Sequence, residues 1–383
     1  MSGSLIGIKV LDFTQMMAGP LCSMTLGDMG ATVIKVEPET GDTMRETGQS
    51  RYLGESEYFL GLNRNKRSLA LDLKKPENVR IIQDLAKDAD VVLENFRPGT
   101  AERMGLGYDI LKQNNPRLIY CSMSGFGSNS IYGDKPSLDP IIQALSGLMD
   151  LNGTKETGPL IVASPYADFL TPMMAVIAIL SALNARHGTG EGQKVEVDML
   201  KSTIFGMKPR EQYTLLHGQY PQRSGNESAQ IVPYNTYGTS DKRSLTLIAH
   251  NDKYWQGLRR CLEVEQFSNG KRFGTTDLRL ERREEVDELI STRIAQESLA
   301  YWEDKFSSDN VLFGPVRTLE EALNMPEIRE AMVHETEFQG GKIPILGIPI
   351  FHSKTPNDVR LPPPLLGEAN AEVLLDGGAK WPD

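Results

Sequence analysis

The stretch Ile8-Lys-Val-Leu-Asp-Phe13 is a short β-branched and aromatic run, Leu21-Cys-Ser-Met-Thr-Leu-Gly-Asp-Met29 has helix length and stops at Gly30, and Ala31-Thr-Val-Ile-Lys-Val-Glu37 is a second apolar run. Strand, helix and strand in that order make a βαβ unit, whose two strands lie parallel. The pattern repeats. Leu69–Leu73 reads as a strand, Pro76 opens a helix through Lys87, Asp90–Phe96 is the next strand, and Arg117–Ser124 follows a Pro-marked turn. Strands alternating with helices predict an α/β fold with a doubly wound parallel sheet.

Beyond Asp139 the text turns helical, with a helix over Pro140–Leu148 and a long apolar one over Pro172–Arg186, then a strand at Lys194–Val197. Residues 218–314 differ in texture. Leu245–Ala249 reads as a strand, Asn251 as the cap of a helix carrying Trp255, Leu258 and Leu262, and charged helices follow over Leu278–Arg293 and Leu299–Phe306. This predicts a separate, smaller lobe. Near the C-terminus, Ile343–Phe351 is apolar with prolines and glycines, and Leu361–Leu366 reads as surface polyproline-like chain.

The chain has 383 residues, with 41 Lys and Arg against 51 Asp and Glu, a net charge of −10. An acidic balance argues against a nucleic-acid partner. Cys22, Cys121 and Cys261 lie far apart without a CxxC pair, so neither a zinc cluster nor a disulfide framework is expected, and a reducing cytoplasm is the simplest location. The longest strongly apolar stretch, Met173–Leu183, is about half of the roughly 20 residues a membrane helix needs, so no membrane partner is expected.

A doubly wound sheet binds ligands beyond the carboxyl ends of its strands. None of the expected loops there carries GxGxxG or a Walker lysine motif, which removes the usual support for dinucleotide or nucleotide-hydrolase chemistry. Gly188-Thr-Gly-Glu-Gly192 follows a helix and precedes a strand, the reverse of a phosphate cradle, and reads as a helix cap and turn. The strand-end loops are instead cationic: Lys74 and Lys75 follow Leu73, Arg97 follows Phe96, and Arg103 lies on the next helix. Residues 61–120 hold 11 Lys and Arg against 8 Asp and Glu, a local excess of positive charge in an acidic chain. On the residues alone these cations are either a solvated face or a site for a phosphorylated ligand. The five histidines (His187, His217, His250, His334, His352) have no metal-ligand spacing, and no GxSxG elbow occurs. Any catalytic group is then a carboxylate, with Asp168 the candidate. Thr171 and Pro172 read as the N-cap and first turn of the apolar helix, placing Asp168 in its approach loop, where dipole complementarity alone would also account for it.

Gly7-Ile-Lys-Val-Leu-Asp-Phe-Thr14, Ala18-Gly-Pro20, Leu26-Gly-Asp-Met-Gly-Ala-Thr-Val-Ile-Lys-Val-Glu37, Asn63-Arg-Asn-Lys-Arg-Ser68, Leu71-Asp-Leu-Lys74, Glu94-Asn-Phe-Arg-Pro-Gly99, the Asp168 segment, Gly190-Glu-Gly-Gln193 and Pro362-Pro-Pro-Leu365 together resemble the family III CoA-transferases. That group includes formyl-CoA transferase and carnitine CoA-transferase, and the likeness runs from about residue 5 to residue 375.

The resemblance implies a large Rossmann-like domain built from residues 1–217 and 315–383, a small inserted α+β domain at 218–314, and an interlocked homodimer. It implies an enzyme that moves CoA from an acyl-CoA donor to a carboxylic acid acceptor, CoA entering as substrate with no cofactor permanently bound and no metal. Asp168 would be the nucleophile. The family pattern carries CoA binding to Leu71, Asp72, Leu73, Lys74, Asn95, Phe96, Arg97, Arg103 and Met104, with Arg97 and Arg103 on phosphate oxygens and Leu71 and Met104 against the adenine, and Lys135 and Asp139 are counted with the same CoA site. Asp139 stands where the family has an acidic residue beside the nucleophile, or else is a plain N-cap for its own helix.

Some positions depart from the oxalate-using members. Met17 replaces a glutamine, Pro38 replaces an arginine, no tryptophan stands near Thr47 and Gly48, the lysine expected just before Ser137 is displaced to Lys135, and Ser224–Ser228 replaces a glycine-rich lid. The related α-methylacyl-CoA racemases need a histidine beside the residue aligned with Asp139, and Leu138 is there instead. Racemisation is the runner-up reading, and a catalytically idle CoA-binding protein the third.

Overall fold

The computed structural model describes residues 3–133, 135–375 and 378–382. The chain divides into two compact units, one of residues 1–150, 161–221 and 330–383 and the other of residues 151–160 and 222–329. The sequence-based lobe at 218–314 omitted 151–160 and 315–329.

In the first unit, β1 (Lys9–Asp12), α1 (Ala18–Asp28) and β2 (Thr32–Glu37) form the opening βαβ, followed by β3 (Lys66–Ala70), α2 (Pro76–Lys87), β4 (Val91–Glu94), α3 (Thr100–Arg103), α4 (Tyr108–Asn114), β5 (Ile119–Ser124), α5 (Asp139–Ser146), α6 (Tyr166–Thr189), β6 (Lys194–Asp198) and α7 (Met199–Phe205). The six strands form one sheet in the order β3-β2-β1-β4-β5-β6, every pair parallel. The order reverses between β1 and β4, so the crevice beyond their carboxyl ends is the topological switch point.

Side chains alternate between two cores. Leu11, Ile34, Leu69, Val92 and Tyr120 pack with α2 and α4, while Val10, Val33, Val91, Ile119 and Cys121 pack with α1 and α6. Each fully buried aliphatic side chain contributes about 1.5–3 kcal/mol. The helix α6 is long and apolar enough, by length and composition, to cross a membrane, but Ala175, Val176, Ile179, Ala182 and Leu183 are buried in the second core. The C-terminal segment closes the β3 edge: Ala369 N–H donates to Ser68 O, Asn370 pairs with Ala70, and Trp381 Nε1 donates to Leu85 O.

Two expectations shift here. The third strand is Lys66–Ala70 rather than Leu69–Leu73, because Lys66 is fully buried: its Nζ donates to Asn63 Oδ1 (2.8 Å) and Pro20 O (3.0 Å) and lies 3.4 Å from Asp12 Oδ2. A charged residue whose donors are all met by buried partners can occupy a strand of the sheet. Near the C-terminus, residues 333–346 form a hairpin, Val333–Phe338 against Gly341–Leu346, which the prolines and glycines had hidden, and Pro363 and Pro364 are buried rather than crossing the surface.

The second unit has an antiparallel sheet of β7 (Tyr234–Gly238), β8 (Ser244–Ile248) and β9 (Leu312–Pro315) with β8 central. The Asn251 side chain accepts from Tyr254 N–H at the start of α8 (Asp252–Leu262). Trp255, Leu258 and Leu262 join Trp302 and Phe306 in its core. The helix expected over Leu278–Arg293 is broken into Thr276–Leu280 and Arg283–Ile294.

Candidate active site

The helix α6 begins at Tyr166, so Asp168 sits in its first turn and Pro172 lies inside the helix. The Thr171–Pro172 cap expected from sequence is not formed: the Thr171 hydroxyl instead donates to Ala167 O (2.7 Å). The cap comes from another helix. Asp139 Oδ2 accepts from the N–H groups of Ala167 (2.7 Å) and Asp168 (3.2 Å), satisfying two orphan donors of α6. Asp139 is therefore not the N-cap of its own helix, which begins after Leu138 without a side-chain cap. Gln143, one turn along, holds Asp139 by a 2.6 Å bond from Nε2 to Oδ1 and ties down the approaching chain by accepting from Val162 N–H (2.9 Å).

Since Asp139 takes the free N–H groups of α6, the Asp168 carboxylate receives no hydrogen bond from the described residues. Burial first, and the neighbouring Asp139 second, push its carboxyl from 3.8 up to about 6. At neutral pH it is ionised, yet more basic than an ordinary carboxylate.

Asp168 lines a cavity of about 560 Å³ whose walls include Met16, Met17, Met44, Tyr58, Asn95, Met123, Ser137, Leu138, Val162 and Met199. A buried ionic cluster holds one wall. Lys35 Nζ donates to Thr14 O (2.7 Å) and Asp42 Oδ2 (2.8 Å), while Asp42 Oδ1 accepts from the N–H of Met16 (3.2 Å) and Met44 (3.0 Å). Met16 is held there at φ +67°, a left-handed conformation that L-residues seldom adopt. At Gly125 the chain passes so close to Ser137 that an added Cβ would stand 2.0 Å from its Oγ.

A larger cleft of about 1030 Å³ opens beyond β1, β2 and β3. It gathers Leu71, Asp72, Leu73, Lys74, Phe96, Arg103 and Met104 of the residues singled out in the sequence, and adds Gln15, Val79, Arg80 and Gln83. The signal for the last three was available: Pro76, Val79, Arg80 and Gln83 recur at i, i+3, i+4 and i+7, one face of α2. Arg103 makes one side-chain hydrogen bond, to Thr100 Oγ1 (2.9 Å), and forms no ion pair with the described residues. Of the acids that line the cleft, Glu37 is neutralised, since Arg45 clamps it through Nε (2.9 Å) and Nη2 (2.8 Å) and holds it at about 2.

Between cleft and cavity stands a two-bond clamp at the switch point, where Asn95 Oδ1 accepts from Gln15 N–H (3.0 Å) and Asn95 Nδ2 donates to Gln15 O (2.8 Å). Gln15 and Phe96 line the cleft, while Met16, Met17 and Asn95 line the cavity. Two sequence candidates fall elsewhere. Arg97 opens onto a third, polar pocket with Glu94, Glu102, Lys194 and Lys201, and Lys135 lies over the Tyr132 ring at 4.9 Å, outside the walls of cleft and cavity. Among the described residues no group of His, Cys, Asp and Glu is arranged to hold a metal ion.

Residues 5–370 match the family model described as CoA-transferase family III. The chain belongs to that family. It is 36% identical to an acyl-CoA transferase of Fusarium pseudograminearum over 98% of this chain and 85% of that protein. It is 33% identical to the succinyl-CoA:glutarate CoA-transferase of Mus musculus over 97% of this chain and 86% of that one. Among solved structures, a CAIB/BAIF family protein from Brucella suis superimposes with a TM-score of 0.89 at 32% identity, covering 97% of this chain and 98% of that chain. This family III member is accordingly a CoA-transferase, set on a mixed α/β unit with a parallel six-stranded sheet.

Proposed function

We propose that this CoA-transferase works through Asp168 as a covalent nucleophile, with the CoA moiety in the cleft of Leu71–Lys74, Phe96, Arg103 and Met104 and the acyl group in the Asp168 cavity. The carrying observation is the Asp168 carboxylate: ionised at neutral pH, raised to about 6, without a hydrogen bond from the described residues, and on the wall of a cavity that meets the cleft of Lys74, Arg80 and Arg103 at the Gln15–Asn95 clamp.

An Asp168 oxygen attacks the thioester carbonyl, forming an acyl–oxygen bond and breaking the carbon–sulfur bond, which yields a mixed anhydride and CoA thiolate. The thiolate attacks the aspartyl carbonyl and releases the first acid as its carboxylate. The acceptor carboxylate then attacks the aspartyl-CoA thioester, and the returning thiolate takes the new acyl group, restoring Asp168. No net proton or electron is consumed. Asp139 supports this chemistry by holding the first turn of α6 and by keeping Asp168 basic. Lys74, Arg80 and Arg103 offer cations to phosphate oxygens, while Arg97, on the third pocket, and Lys135, outside the walls of cleft and cavity, are left out of this reading.

The family reading carries two further expectations: the smaller unit as an inserted domain, and a homodimer of interlocked chains. Leu138 just before α5, Ile141 and Leu145 of α5, and Phe169 and Ile177 of α6 are exposed apolar residues that a second copy would cover.

Asp168→Ala is expected to abolish exchange while acyl-CoA binding persists, and hydroxylamine after incubation with acyl-CoA to modify Asp168. Retained turnover would sink the assignment. Racemisation lacks support, since Leu138 occupies the histidine position and no histidine lines the cavity among the described residues. Exchange of the α-hydrogen with deuterated water would restore it.

A further inference from the structure

The Asp168 cavity also bears on which acids this enzyme accepts, an inference that rests on the reading of Asp168 as nucleophile. Five methionines line it, Met16, Met17, Met44, Met123 and Met199, from four separate segments of the first unit. None of its described lining residues is Lys, Arg or His, and its two charged groups, Asp139 and Asp168, are both anionic. The neutral polar groups are largely committed elsewhere. The Thr47 hydroxyl donates to Thr43 O (2.9 Å), the Thr171 hydroxyl donates to Ala167 O, and both ends of the Asn95 amide are held by Gln15. Only the hydroxyls of Tyr58 and Ser137 lack a partner among the described residues.

We infer that the cavity selects monocarboxylic acids with uncharged acyl chains over dicarboxylic acids, with the methionine wall as the specificity determinant. The reacting carboxylate loses its charge on forming the anhydride or thioester. A second carboxylate stays charged through every step. It would lose water against thioethers and methyl groups, beside two like charges, with no cation among the described lining residues to receive it. Thioether side chains are flexible and polarisable, so the wall adapts to acyl chains of differing length.

The test offers the full-length enzyme butyryl-CoA or succinyl-CoA as donor and hexanoate or glutarate as acceptor, with products read by mass spectrometry. The expected kcat/KM is at least tenfold higher for hexanoate than for glutarate, and for butyryl-CoA than for succinyl-CoA. Equal or faster use of the dicarboxylic partners overturns the inference while leaving the transferase reading intact; exchange with none of the four combinations overturns that reading, and the inference with it. Met17→Arg and the more exposed Met16→Arg, each checked for folding by circular dichroism, place a cation on the wall. Either variant is expected to raise the glutarate-to-hexanoate ratio at least fivefold, and an unchanged ratio in both removes the methionine wall from specificity.

Discussion

Replacing Asp168 with Asn is expected to inactivate the enzyme and at the same time stabilise it. The Asp168 carboxyl, raised from 3.8 to about 6 by burial and by Asp139, is easier to protonate in the folded chain than in the unfolded one. The stability this lends the protonated form is fully present below about pH 3.8 and is lost as pH rises through about 6. Above that, the native state carries an ionised group in a poorly solvated place, at a cost of about 3 kcal/mol from the size of the shift. Asn is nearly isosteric, carries no charge, and gives up no hydrogen bond to the Asp168 side chain. With an unfolding entropy of about 2.1 cal/mol/K per residue over the whole chain, 3 kcal/mol corresponds to a rise in Tm of about 4 °C. Differential scanning fluorimetry of both proteins from pH 4 to pH 8 measures this. The two melting curves should converge near pH 4 and separate with rising pH until about pH 7. A gap that is independent of pH, or a variant less stable at pH 7.5, would refute the reasoning that Asp168 is held charged against its surroundings.

Asp139→Asn keeps an oxygen for the N–H groups of Ala167 and Asp168 but removes the like charge, so the acid limb of the kcat/KM profile should move below pH 6 by up to about one pH unit; a limb that stays in place would remove Asp139 from the electrostatics of the site. Arg103→Ala should raise the KM for the acyl-CoA about tenfold with kcat little changed, and steady-state kinetics with an unaltered KM would take Arg103 out of the CoA cleft. Lys66→Met leaves Asp12 with one buried cation fewer, and denaturant unfolding should show a loss of about 3–5 kcal/mol, against under 1 kcal/mol if the pair were dispensable.

Much of the fold is legible locally. The helix opened by Pro76 and ended at Lys87 coincides with α2, because a first-turn proline and an amphipathic repeat act within a few residues of chain. The cationic strand-end loops were likewise legible as a group, since strand ends follow from the alternation of elements. The register of β3 was not, because β2 and β3 each carry a buried lysine, Lys35 and Lys66, whose acceptors are Thr14, Asp42, Pro20 and Asn63. Two of the stretches that carried the family resemblance, Leu26–Glu37 and Asn63–Ser68, turn out to be this scaffold: Asp28 is bonded by Arg64 and Asn65, and Glu37 by Ser68 and by Arg45. They mark the family because they build the frame, and touch the cavity only through the loop they hold.

By itself the sequence determined an α/β chain with a parallel sheet, a family, and a single conspicuous carboxylate, since periodicity, turn chemistry and ordered motifs all act along the chain. Only the tertiary structure decided what that carboxylate is. Its helix begins two residues before it rather than four after, because Asp139, 29 positions upstream, supplies the cap. That same cap leaves the Asp168 carboxylate without a hydrogen bond from the described residues and beside a like charge, and the methionines lining its cavity arrive from segments that only folding brings together. Capping, burial and charge proximity are relations across space, and a one-dimensional text does not contain them.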